Sequence, residues 1–458
     1  MKIKKALTYI ALGAILTAAG CTDDRNMNLD DPVSHGPQRL VGEYLCTSFK
    51  FNEVCNIVMA KYMGLFRGYE ELAVNLITTI FQMLDYIQKQ EFDNPDNDPW
   101  HLEQHYFTYR SVLATGDSAT LSGMVAYPMF NDSRQRPPLN GLTIFNDKVK
   151  LVDNTGQPGL EVAARAALNQ AVVSTDIEGF GVQSDRWVPY FDAFTKGRQS
   201  IDAAIAAKEL LESKGITFKS DAKTWNFGIS LGGHHALGAL KYYESDQCPQ
   251  SVRDVLPDFR TYASICPIDV RNLFMEYTEK DQLEYPFVAM MMVSTIFAVF
   301  PETQSEYSLE DFLSEAVNTS SVTIDSVTCT ITESFRRKLM AGDPLRAVLK
   351  EVTGGYMRRI LAPDMFDADG TLATDNPKSQ LLMQTMEYVN LSRGWQPGHP
   401  THLIYSPDDI VIYYNSVKKE LDRFIDGGAT IELEQSFGAH EFAGFMAIYK
   451  FLMDRQYR

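Results

Sequence analysis

The pentapeptide Gly228-Ile229-Ser230-Leu231-Gly232 joins a run with strand alternation (Trp225, Phe227, Ile229) to a stripe at helix spacing (Ala236, Leu237, Leu240). A serine at such a strand-to-helix junction is held in a strained backbone. Only small residues two places either side let the strand and the helix approach closely enough to push its hydroxyl outward. A G-x-S-x-G match alone is a weak signal. Its position, with a strand before it and a helix after it, is what gives it force.

Around this turn, strands alternate with helices. Strand candidates are 120–127, 142–146, 171–175, 224–229, 261–266, 402–405 and 430–434. Between them, Ile201, Ile205 and Leu211 mark one amphipathic helix, and Val417, Leu421, Phe424 and Ile425 mark another at i, i+4, i+7 and i+8. The last helix carries Phe442, Phe445, Met446 and Tyr449. This alternation predicts an α/β class: a mostly parallel sheet with helices on both faces.

The 458 residues exceed one such core, so appended or inserted segments are expected. From about residue 38 to 90 the pattern reads as helical, with Leu76, Ile80, Leu84 and Ile87 at helix spacing, until Asp93 to Pro99 breaks it. These signals predict an N-terminal helical appendage and linker over 21–110, and a core in two parts, 111–269 and 395–458. Between the parts, 270–394 is mainly helical text with a Thr-rich, strand-like piece at 320–331, as an inserted lid would be. Its most apolar stretch, 287–300, includes Met290, Met291 and Met292. That composition suits a buried lid helix or the wall of an acyl-binding pocket. Fourteen residues are too few to cross a membrane.

A serine hydroxyl is a poor nucleophile near neutral pH, and needs an imidazole to take its proton and an acid to orient that imidazole. Asp409 lies in Tyr405-Ser406-Pro407-Asp408-Asp409-Ile410-Val411, just after one strand candidate, and His440 in Gly438-Ala439-His440, just after the next. Two further segments are Val173-Ser174-Thr175-Asp176-Ile177-Glu178-Gly179-Phe180-Gly181 and Trp395-Gln396-Pro397 with Pro400. Together these residues resemble the α/β-hydrolase superfamily. Within it the chain resembles the secreted lipase and acyl-esterase lipoproteins, from about residue 118 onward apart from the insertion.

There the acting residues follow in the order Ser, Asp or Glu, His. The resemblance therefore implies Ser230 as nucleophile, Asp409 as acid and His440 as base. It implies a carboxylic ester of a small molecule as substrate, cleaved through an acyl-enzyme, with no cofactor and no metal. The family's G-x-x-D-x-V-V-P loop aligns its aspartate with Asp409; Ser406 stands where glycine is usual, and Asp408 is the fallback acid.

Eight histidines are present, and only His440 follows the acid loop. His234 and His235 fall on the helix that the serine starts, and flank the pocket or pack. His101 and His105, spaced i, i+4, suit zinc only if a third ligand arrives, and otherwise read as a surface pair. The loop after the strand 142–146 commonly reads His-Gly in the family, yet Asn146-Asp147-Lys148 stands here. An oxyanion hole uses backbone N–H groups, so Leu231 with Asn146 or Asp147 remains sufficient. An Asp147 carboxylate about 4 Å from a developing oxyanion costs about 4 kcal/mol at an effective dielectric near 20. Its side chain is expected to face away.

The first twenty residues carry Lys2, Lys4 and Lys5, then a short apolar run ending in Thr17-Ala18-Ala19-Gly20-Cys21. This resembles the lipobox of bacterial lipoproteins, and implies a signal peptide over 1–20 and lipidation of Cys21. The acidic Asp23 and Asp24 resemble the surface-export signal of some Gram-negative outer-membrane lipoproteins. The expectation is an exported lipoprotein of the outer membrane or cell surface, meeting the membrane by its lipid anchor only. Removing the three leader lysines takes the formal net charge from −17 to −20. Such a surface repels phosphate backbones, so nucleic acid is excluded as a partner. Cys46, Cys55, Cys248, Cys266 and Cys329 are odd in number and form no close CxxC pair of the kind zinc uses. Cys46 and Cys55 are nearest in sequence, without deciding a disulfide.

Three rivals stand beside the ester reading. Asp367-Ala368-Asp369-Gly370-Thr371-Leu372 matches a phosphatase signature whose first aspartate sits at the end of a buried strand. Here Pro363 interrupts the residues before it, which predicts a turn in the lid. The same serine chemistry cleaves amides, as in aminopeptidases acting on short peptides. A catalytically silent binding lipoprotein is the third.

Overall fold

Runs rich in Val, Ile, Thr and aromatic residues pair here into one nine-stranded sheet. Its strands are β1 (Leu40–Lys50), β2 (His101–Val112), β3 (Ser118–Met129), β4 (Leu139–Asn146), β5 (Gln170–Thr175), β6 (Phe218–Ile229) and β7 (Phe259–Ser264). After the hairpin of β8 (Ser321–Ile324) and β9 (Val327–Thr330), which pair with each other, come β10 (Thr401–Tyr405) and β11 (Ile431–Gln435). The sheet order is β1-β2-β3-β5-β4-β6-β7-β10-β11. Pairing is antiparallel from β1 through β3 to β5 and parallel from β5 to β11. The computed structural model describes residues 38–63, 70–91, 101–129, 137–146, 159–279, 282–324, 326–338 and 342–453. The leader with Cys21, and Asp147 with Lys148, lie outside the described residues.

Each expected strand falls on an observed one, but the expected helical run from residue 38 is overturned at its start. Residues 40–50 form β1, and 101–112, of which 101–110 were assigned to the appendage and linker, form β2. β1 lies at the sheet edge, and its residues are half-buried or exposed without a clean alternation. What makes it a strand is its pairing with β2, about sixty positions away, which no local pattern displays. The helical reading holds for α1 (Phe51–Met63) and α2 (Glu70–Glu91).

Alternate strand residues point to opposite faces, and each face has its own core. On one face Tyr106, Val172, Trp225 and Phe227 meet α1, α2 and α3 (Leu160–Ala167), together with Phe445, Ile448 and Phe451 of the C-terminal helix. On the other, Phe107, Ala171, Val173 and Phe259 meet α4 (Ala193–Ser213) and α5 (Leu231–Glu244). Each fully buried large apolar side chain here contributes about 1.5–3 kcal/mol. α4 and α5 touch through glycine, since a Cβ on Gly238 would stand 1.8 Å from the Ala193 carbonyl oxygen. That contact fixes α5 behind the turn at Ser230.

Between β7 and β10 the chain is mainly helical. α6 (Val288–Val299) is buried along its whole length, as its composition predicted. Its two hydroxyls are paired: Ser294 Oγ donates to the Val188 carbonyl at 2.9 Å and accepts from the Val188 N–H at 3.0 Å, and Thr295 Oγ1 bonds the Met291 carbonyl. Near the end of the chain, α7 (Tyr414–Asp426) and α8 (His440–Met453) follow β10 and β11. Among the described residues no helix is long and apolar enough to cross a membrane. Cys46, Cys55, Cys248, Cys266 and Cys329 are all free thiols.

Candidate active site

β6 ends at Ile229, α5 begins at Leu231, and Ser230 between them has φ 58° and ψ −129°. A non-glycine residue in that region is strained, and neighbours must hold it there. The Ser230 N–H donates to the Ser264 carbonyl of β7 at 2.9 Å. Gly228 lies against the first turn of the helix, where a Cβ would meet the Gly232 carbonyl oxygen at 2.0 Å. A Cβ on Gly233 would meet that of Cys266 at 2.7 Å. These contacts carry the serine outward at the C-terminal end of the parallel strands, where it is half-buried.

β10 and β11 run parallel to β6 and end at the same edge of the sheet. Asp409 follows β10 and His440 follows β11, opening α8. His440 Nε2 lies 2.8 Å from Ser230 Oγ, and His440 Nδ1 lies 2.8 Å from Asp409 Oδ2. The other Asp409 oxygen accepts the N–H groups of Val411 at 2.8 Å and Ile412 at 2.9 Å. Its carboxylate is thus buried yet fully bonded, which is what a carboxylate needs in such a place. Serine, imidazole and carboxylate form one hydrogen-bonded chain in which Nε2 can take the hydroxyl proton while Asp409 fixes the tautomer.

Asp408, the fallback acid, points elsewhere: it is exposed, and its Oδ2 accepts the Gly438 N–H at 3.1 Å. Ser406, where the family has glycine, donates through Oγ to the Gly438 carbonyl at 2.8 Å. Ser406 and Asp408 therefore staple the acid loop to the loop carrying His440. Sequence reasoning missed this role, although the departure from glycine at Ser406 was its signal. Also unforeseen is Tyr285, whose hydroxyl donates to Glu441 Oε1 and whose ring lies edge-on to His440, with centroids 6.3 Å apart. The segment between β7 and β10 reaches the site through this tyrosine.

Leu231 opens α5, so its N–H is at a helix N-terminus, where donors lack partners within the helix. Asn146 ends β4 opposite Gly228. Its side chain is buried in a network, donating to Asn226 Oδ1 at 2.8 Å and accepting from Ser200 Oγ at 2.9 Å. Any contribution of Asn146 to an oxyanion hole is therefore through its backbone, and Asp147 lies outside the described residues.

His234 and His235 are fully buried and pack rather than line a cleft. His234 bonds the carbonyls of Pro267 and Phe191, and His235 that of Tyr190. Burial pushes His234 down to about 4 and His235 well below the ordinary imidazole range. Glu178 accepts the Ala114 N–H at 2.7 Å; burial pushes its carboxyl up to about 7 against that hydrogen bond. The phosphatase-like segment is a turn: Asp367 N–H bonds the Thr371 carbonyl, Gly370 has φ 85°, and Asp369 caps Thr371. His101 and His105 lie on β2, not on a helix, and His105 is buried between β1 and β3 rather than on the surface.

No family model and no curated protein matches the sequence. Solved structures do match. The rice cell wall degrading esterase LipA of Xanthomonas oryzae superposes with a TM-score of 0.57 at 14% identity, over 91% of this chain and 95% of that one. A Legionella pneumophila protein described as a candidate hydrolase superposes with a TM-score of 0.61 at 15% identity, over 92% of this chain and 99% of that one. Sheet order, the serine turn at the end of β6 and these likenesses agree: the chain has the α/β-hydrolase fold.

Proposed function

We propose that the protein hydrolyses carboxylic esters through an acyl-enzyme on Ser230. The observation that carries this reading is the hydrogen-bonded chain Ser230–His440–Asp409, with 2.8 Å at each link. His440 takes the serine proton as Oγ attacks the ester carbonyl, then gives it to the departing alcohol. The oxyanion is held by the Leu231 N–H and a backbone donor from the loop after β4, Asn146 or Asp147. Water, deprotonated by the same imidazole, releases the acid. The esterase that shares the fold supports this assignment by analogy.

The mainly helical segment 270–394 acts as a lid, its Tyr285 lying beside His440 and Glu441 and its methionine-bearing α6 packed against the loop at Val188. The substrate is a small-molecule ester, and no cofactor takes part. The protein is exported and anchored by a lipid on Cys21, at the outer membrane or cell surface.

p-Nitrophenyl esters from acetyl to palmitoyl, compared with aminoacyl anilides, test the chemistry. Ester turnover that falls by about 10⁴-fold or more in Ser230→Ala is expected; turnover of anilides alone would replace the ester reading by an aminopeptidase one, and no turnover of either by a binding one. Growth with a labelled fatty acid tests the anchor. Label in the wild type that disappears in Cys21→Ser is expected, and unlabelled wild-type protein would overturn it.

A further inference from the structure

We propose that β1 and β2 carry a zinc site, built from Cys46, His105 and Glu103 at the sheet edge opposite the β11 end. Cys46 and His105 are direct cross-strand partners, Glu103 stands two residues from His105 on the same face of β2, and Tyr127 of β3 pairs with Glu103. Their donor atoms converge. Cys46 Sγ lies 3.9 Å from His105 Nε2 and 3.9 Å from Glu103 Oε1, and Nε2 lies 2.6 Å from Glu103 Oε1. Bonds of about 2.3 Å to sulfur and about 2.0 Å to nitrogen or oxygen put tetrahedral donors about 3.3–3.6 Å apart. A shift of about 0.4 Å inward by sulfur, with an opening of the Nε2–Oε1 pair by about 0.7 Å, makes room for the ion.

The other groups are arranged as such a site requires. A ligating histidine normally gives its second ring N–H to a carboxylate. Here His105 Nδ1 bonds Glu43, which is itself paired with Lys214 at 2.8 Å. The Tyr127 hydroxyl lies 2.8 Å from His105 Nε2 and donates to Glu103 Oε1 at 3.0 Å; a bound ion would take its place at Nε2 and leave it the bond to Glu103. The imidazole is buried while the thiol and both carboxylates are partly exposed, so an ion can enter from solvent. Sulfur, nitrogen and oxygen donors together suit zinc better than magnesium or calcium, which take oxygen. A cysteine–histidine nucleophile is disfavoured, because Glu103 would face the thiolate and repel it. On binding, Zn²⁺ replaces the thiol proton and the proton on Nε2, water takes the fourth position, and the ion clamps the edge strand β1 to the sheet.

Sequence showed His105 without its partners, since Cys46 and Glu43 come from a strand that only pairing with β2 defines. The alternative is a proton-filled cluster in which an imidazolium bridges Glu43 and Glu103. Titrating the reduced full chain with Co²⁺ alone separates the two. One equivalent, with a thiolate-to-cobalt charge-transfer absorption that Zn²⁺ then abolishes, is expected. Cys46→Ser should remove that absorption and weaken Co²⁺ at least about a hundredfold, and Glu43→Gln about ten- to a hundredfold. Ser230→Ala should bind as the wild type does. Circular dichroism melts confirm that each variant folds; if Glu43→Gln does not, Cys46→Ser, at a half-exposed position, still carries the test. Absence of stoichiometric binding, or an absorption that survives Cys46→Ser, overturns the site.

Discussion

Gly228 and Gly232 are in contact across the turn at Ser230: a Cβ placed on Gly228 would stand 2.0 Å from the Gly232 carbonyl oxygen. No side-chain rearrangement relieves a clash with backbone, so Gly228→Ala must separate strand from helix. The variant is expected to lose soluble expression, or to fold with ester turnover at least about a hundredfold lower as the hydroxyl leaves His440. Wild-type turnover and melting temperature in Gly228→Ala would show that the approach is not needed.

Asp409 and Asp408 are adjacent, but only Asp409 meets His440. Asp409→Asn keeps the shape, yet favours the wrong tautomer of the imidazole, and kcat is expected to fall by about 10³–10⁴-fold. Asp408→Asn removes only the charge near the Gly438 N–H and should cost less than about tenfold. Steady-state kinetics on one ester decide it, and the reverse ranking would move the acid to Asp408.

Ser294 holds both polar groups of Val188, and both residues are buried. Ser294→Ala leaves that N–H without a partner, while the carbonyl keeps the Tyr190 N–H at 3.0 Å, at a cost of about 1–3 kcal/mol for the one orphaned group. A lower urea midpoint is expected, while Ser305→Ala, at an exposed hydroxyl on the Glu302 carbonyl, should leave the midpoint unchanged. Equal midpoints for all three proteins would mean that α6 does not depend on this pair.

Glu178 makes stability depend on pH with a sign opposite to that of a paired carboxylate. Burial raises its carboxyl from 4.5 in the unfolded chain to about 7, so the folded protein holds the proton more tightly. Its contribution is fully present below pH 4.5 and is lost as pH rises through about 7, to a limit of about 3 kcal/mol. The buried, neutral His234 works the other way, losing stability as pH falls from 6.5 towards about 4. Comparison with Glu178→Gln isolates the carboxyl: the variant should melt with the wild type at pH 4.5 and progressively above it towards pH 8. A constant difference across that range would refute the assignment.

The central strands were legible because their residues are buried on both faces, so local apolar runs and global position agree. β6 with its glycines and serine carried the site as well, since strain at Ser230 demands small neighbours that sequence displays. β1 was hidden for the opposite reason: Leu40–Lys50 has neither alternation nor full burial, and only β2 stabilises it as a strand. The loop pattern favoured Asp409 over Asp408, but what turns the two carboxylates apart, the joining of Ser406 and Asp408 to Gly438, was not displayed locally. Tyr285 was invisible for a similar reason, its partner Glu441 lying 156 positions away.

His440 meets Ser230 across 210 positions of chain, and that separation orders events during synthesis. Ser230 is synthesised well before β10 and β11, so the growing polypeptide carries a serine with no base beside it. On the proposed chemistry it stays inert towards every ester it passes, and turnover begins only when the last strands have been made and have docked.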